Sequence, residues 1–110
     1  LASGPPYLPP LTFLNVNFAA ADPGLCDQES NFRFVMTRLY PAFPGLSGKD
    51  ISVCGGDQRL VTEEKVLKTQ GCWISVSLGR AVTKRDAPME EQKVVYEKLK
   101  SLFVCLPDGP

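Results

Sequence analysis

The chain has 110 residues, 44% hydrophobic and 22% charged, a balance that fits one globular domain and excludes a wholly disordered chain. Twelve basic residues offset twelve acidic ones, so no net field draws the chain to a nucleic-acid backbone or an anionic bilayer, and neither is an expected partner. No stretch approaches the roughly 18 apolar residues of a membrane-spanning helix, and histidine is absent, which removes the usual Ser/His/Asp and Cys/His nucleophile systems.

Residues 1–10, LASGPPYLPP, set four prolines around Tyr7 and read as a proline-rich linker with polyproline II character. The start lacks the basic and apolar regions of a signal peptide, so the chain reads as a mature or excised segment. The domain proper is expected over 11–106. From Leu11 to Phe18, Leu14, Val16 and Phe18 alternate with Asn15 and Asn17, the period of a half-buried strand. After Asp22-Pro23-Gly24, the residues Phe32, Val35, Met36, Leu39 and Tyr40 recur at helical spacing. They predict a first helix, capped by Asp27 or Ser30 and ended by Pro41.

A second strand is expected at Asp50-Ile51-Ser52-Val53-Cys54, halted by Gly55-Gly56-Asp57. The segment around Val61, Val66 and Leu67 fits either a helical turn capped by Thr62 or a continued hairpin. From Cys72 to Leu78 the alternation returns, with Ile74, Val76 and Leu78 inward and Trp73, Ser75 and Ser77 on the other face. Ala87-Pro88-Met89-Glu90-Glu91 opens a further helix, since proline suits the first helical position and acids there complement the helix dipole. Its buried stripe is Val95, Leu99, Leu102 and Phe103, with Lys98 and Lys100 late and an i,i+3 pair of Glu97 with Lys100. Val104-Cys105-Leu106 opens a short last strand before the tail at 107–110.

The resulting order, β-α-β-β-α-(β), predicts an α+β two-layer sandwich in which two helices cover one face of an antiparallel sheet. Cys26, Cys54, Cys72 and Cys105 are widely spaced, without the short pairs of zinc or thioredoxin-like sites. Two structural disulfides in an oxidising compartment are therefore expected. The sandwich topology brings Cys26 toward Cys105 and Cys54 toward Cys72, the second bond needing a bulge at Gly55, Gly56 or Gly71.

No catalytic, cofactor or metal centre is expected. Glu63-Glu64 and Glu90-Glu91 are dense carboxylates, but neighbours in sequence do not face one site on a helix. Gly55-Gly56-Asp57 lacks the pattern of a phosphate loop and reads as a turn. Lys84-Arg85 offers a dibasic processing site, against the plainer reading of a solvated loop. Trp73 and Tyr7 are the aromatics most suited to recognition. Trp73 either stands exposed for a sugar ring or a peptide, or packs under the segment from Asp57 to Gln70. No Asn-x-Ser/Thr sequon occurs, so glycans, if carried, sit on hydroxyls or modified prolines.

The β-α-β-β-α order with extracellular cysteines resembles the SEA class of ectodomain modules, although Ile51-Ser-Val-Cys-Gly-Gly-Asp replaces the self-cleaving Gly-Ser segment. The GPPYLPP and LPDGP flanks around a cysteine-stapled globule resemble pherophorin-like, hydroxyproline-rich glycoproteins of algal cell walls and extracellular matrix. That resemblance implies a secreted structural protein assembling with other wall or matrix proteins or glycans. The expected function is a non-enzymatic extracellular module of a larger proline-rich glycoprotein, the alternative being a glycan- or peptide-binding domain that uses the sheet face around Trp73.

Overall fold

The computed structural model describes residues 8–19, 26, 28, 31–43, 48–55 and 58–107. Their elements run β1 (Thr12–Phe18), β2 (Arg33–Thr37), α1 (Glu63–Lys68), β3 (Trp73–Arg80) and α2 (Met89–Leu99). The α+β, disulfide-stabilised class is as expected, while its internal arrangement differs. The sheet is mixed, in the order β1-β3-β2. β1 pairs antiparallel with β3, Leu14 opposite Leu78 and Val16 opposite Val76. β2 pairs parallel with β3, Val35 beside Ser75 and Met36 beside Val76.

The expected first helix is instead β2. Phe34 and Met36 point to one face of the sheet and Val35 and Thr37 to the other, and Val35, Met36 and Thr37 are all buried. A strand covered on both faces loses its two-residue alternation, and its apolar run then matches helical spacing equally well. On its outer side β2 is flanked by single bridges, Phe34 to Phe103 and Arg38 to Thr62.

The two helices lie on opposite faces, not on one. Val35 packs with Val66 of α1 and with Leu106, whereas Leu78, which points the other way from Ser77, packs with Val95 and Leu99 of α2. α1 begins where Thr62 accepts the Lys65 N–H at its N-terminus, the capped-turn alternative for this segment. Pro88 stands at the N-cap of α2, one position before the first helical residue, and the helix ends at Leu99, leaving Leu102 exposed.

The expected second strand is absent among the described residues. There the chain folds into a closed loop, the Asp50 N–H donating to the Gln58 carbonyl and the Gln58 N–H to the Ser52 hydroxyl. Gly55, at φ +73°, makes the turn. The last segment forms no strand, although the Val104 N–H donates to the Phe34 carbonyl and lays the chain beside β2. Gly79, paired with Phe13 across the strands, lies under its ring. A Cβ there would run into the Phe13 ring, so only glycine lets the ring cover the sheet at this point.

Both disulfides form, with exchanged partners: Cys26–Cys72 and Cys54–Cys105. The parallel pairing of β2 with β3 explains the exchange. The Arg33 N–H donates to the Cys72 carbonyl, so the start of β2 lies beside Cys72, the partner of Cys26. The 103–106 segment follows β2 on its other side and brings Cys105 to the loop that holds Cys54. The predicted pairs, Cys26 with Cys105 and Cys54 with Cys72, assumed a helix where β2 lies. No helix among the described residues is long and apolar enough to cross a membrane.

Candidate functional site

Among the described residues, a cluster of ionisable and amide side chains, largely buried, gathers between the end of β2, the loop at 50 and the start of α2. Asp50, 2% exposed, accepts hydrogen bonds from Arg38 Nη1 at 2.8 Å, from the Leu60 N–H at 2.8 Å and from Gln92 Nε2 at 2.9 Å. Arg38 is itself buried and donates through Nε to the Tyr40 carbonyl. Its Nη2 lies 3.6 Å from Asp86 Oδ2. Asp86 in turn accepts the Leu39 and Tyr40 N–H groups.

Burial pushes the Asp86 carboxyl above its ordinary range, opposed by those two backbone hydrogen bonds and by the Arg38 charge. Gln92 completes the cluster by accepting the Ile51 N–H and donating to the Ala87 carbonyl. Every donor and acceptor named here is engaged within the fold, so the cluster ties four chain segments together. In sequence its members look unremarkable. Only Gln92, three and seven residues from Val95 and Leu99 on the apolar stripe of α2, carried a signal.

A second polar layer lies beneath α1. Ser75 and Ser77 are 0% exposed, Thr37 and Ser77 share a hydroxyl–hydroxyl hydrogen bond, and Asn15 and Asn17 both donate to the Glu63 carboxylate. The Asn and Ser positions of β1 and β3 therefore face a helix rather than water. Trp73 lies on this same face. Trp73 is half-buried against Val35, Val66 and Leu106, and its indole N–H donates to the Gln70 carbonyl. It thus packs against α1 and the turn at Gln70 that follows it.

Tyr7 lies outside the described residues. Lys84 and Arg85 are exposed but sit in a closed turn, the Arg80 N–H donating to the Arg85 carbonyl and the Lys84 N–H to the Arg80 carbonyl. Arg85 is stacked over the Tyr40 ring at 5.7 Å. The carboxylate pairs diverge. Glu63 binds the two asparagines, while Glu64 makes a 2.7 Å ion pair with Lys68 that draws its carboxyl below the usual value. Glu91 lies 3.7 Å from Arg80, and Glu90 lines a different surface.

That surface is an open groove of about 510 Å³ between α2 and the chain at 51–53 and 58, lined by Ile51, Val53, Met89 and Tyr96 together with Glu90 and Lys93. Among the described residues no group of three or more Cys, Asp or Glu side chains is placed to hold a metal ion. No protein family, curated protein or solved structure matches the chain.

Proposed function

We propose that this chain is a non-enzymatic structural and interaction module of a larger, proline-rich secreted or cell-surface protein. One observation carries the reading: the residues with most chemical capacity are tied up in holding the fold. Two disulfides bind all four cysteines, and the buried Arg38–Asp50–Gln92 cluster is saturated from within. Stapling of this kind suits a small domain in an oxidising compartment, where thiols are not held reduced. The partners on this reading are other extracellular proteins or glycans, and the pherophorin-like layout of the flanks agrees with an assembly in a wall or matrix.

Reduction of the native protein tests the reading. Loss of the native circular-dichroism signal on treatment with a thiol reductant at pH 7 is the expected result. A chain that stays folded with four free thiols would have no requirement for an oxidising compartment, and the extracellular assignment would lose its support.

A further inference from the structure

β1 is an edge of the sheet, with β3 on one side and no strand on the other among the described residues. Its hydrogen bonding to β3 fixes which groups remain. The Ala19 N–H donates to the Trp73 carbonyl and the Ala81 N–H to the Leu11 carbonyl, so residues 11, 13, 15, 17 and 19 point their backbone groups at β3. Thr12, Leu14, Val16 and Phe18 therefore direct theirs outward.

Exposed edges normally carry a charge, a proline or a bulge that blocks further pairing. TFLNVNF has no charged residue and no proline, and its register with β3 runs unbroken through seven pairs. Side chains at these positions leave apolar surface uncovered as well. Phe18 is 62% exposed and Val16 45%, although both belong to the apolar face that continues into Ile74 and Val76.

We infer that this edge is the seam of a homodimer in which β1 pairs antiparallel with β1 of a second copy. The strand can pair with its own copy over its whole length. Centred on Asn15, it sets Leu14 opposite Val16 of the second copy and Thr12 opposite Phe18. All outward N–H and C=O groups of both strands are then paired. The cross-strand contacts Leu14–Val16 extend the Leu14–Leu78 and Val16–Val76 rows across the seam, covering apolar surface that the monomer leaves wet. With twelve charges of each sign, two copies meet without net repulsion. The two sheets would join into one of six strands. This inference rests on β1 alone and is independent of where the protein works.

Sedimentation velocity of the full oxidised chain over a concentration series, alongside the Val16→Lys variant, tests it. Val16 is exposed, so the substitution leaves the monomer fold in place while setting a charge on the seam. The unmodified chain is expected to pass from monomer to dimer as concentration rises, and Val16→Lys to weaken the dimer roughly tenfold or more. Amide exchange of the unmodified chain supplies a readout that needs no variant. The Leu14, Val16 and Phe18 amides should exchange fast when dilute and slow when concentrated. A chain monomeric up to about 1 mM, a dimer indifferent to Val16→Lys, or outward amides whose rates ignore concentration would each overturn the inference. A monomer of that kind would leave the edge to a strand of another protein or to water.

Discussion

Replacing Asp50 with alanine is expected to be the most damaging single change to a side chain outside the disulfides. It leaves the buried Arg38 guanidinium with Asp86 at 3.6 Å and the Tyr40 carbonyl, and it strips the Leu60 N–H and one Gln92 N–H of their acceptor. Removing one partner of a buried ion pair costs about 3–5 kcal/mol, and each stranded buried donor about 1–3. These costs overlap, because Gln92 keeps the Ala87 carbonyl and water enters the space, so about 4 kcal/mol is the expected total.

Against a domain stability of about 5–15 kcal/mol, that loss is about a quarter or more. In urea at pH 7 the midpoint of the oxidised chain should fall by about 2 M, given slopes of about 1–3 kcal/mol/M for small domains. A double-mutant cycle with Arg38→Ala should show coupling above about 1 kcal/mol. A loss under about 1 kcal/mol with an additive cycle would mean that Asp50 is solvated, and the saturated cluster would not exist in solution.

Asp86 gives stability an acid dependence of opposite sign to an ordinary ion-paired carboxylate. Its folded value lies above 3.8, so the native state holds the proton more tightly than the unfolded chain, and stability falls as pH rises from 3.8 through the folded value. Asp86→Asn should flatten that part of a melting-temperature profile; an unchanged profile would refute the assignment. Gly71→Ala should destabilise by at least about 1 kcal/mol in denaturant melts, because Gly71 has φ +138° and an added Cβ would lie 2.5 Å from the Trp73 Nε1. A neutral result would remove the packing given to Trp73. The same packing predicts blue-shifted Trp73 emission poorly quenched by acrylamide, and fully exposed emission would contradict it. Cys26→Ser with Cys72→Ser opens a linkage of sequence separation 46 and should lower stability by about 4 kcal/mol in the chain-entropy account, read from the denaturant midpoint.

What could be read from the residues depended on how each element is covered. β3 and α2 were legible because their apolar spacing was clean, and α1 was one of two stated choices because Thr62 is a good cap. β2 was not, since burial on both faces of Phe34, Val35 and Met36 erased its period. That one substitution of strand for helix propagated. It turned an antiparallel sheet into a mixed one, moved a helix to the other face and exchanged the disulfide partners.

The polar positions of β1 and β3 misled for a related reason. Asn15, Asn17, Ser75 and Ser77 alternate as a wet face would, yet Glu63 and its short helix cover them, and a local pattern cannot distinguish water from a polar partner. The Arg38–Asp50–Asp86 cluster joins residues up to 48 positions apart in the chain, and spacing along a sequence carries no trace of such a meeting.

The claim on which the rest depends is that sulfur pairing fastens the β2–β3 side of this fold at both flanks, and peptide mapping without reduction tests it most directly. Trypsin places the four cysteines in separate fragments, because Arg33, Lys49, Arg59, Lys68, Arg80 and Lys100 lie between them. The expected map contains Cys26 joined to Cys72 and Cys54 joined to Cys105, with no alkylatable thiol in the native protein. Cys26 joined to Cys105, Cys54 joined to Cys72, or free thiols in a folded monomer would contradict both the strand pairing and the stapled module built on it.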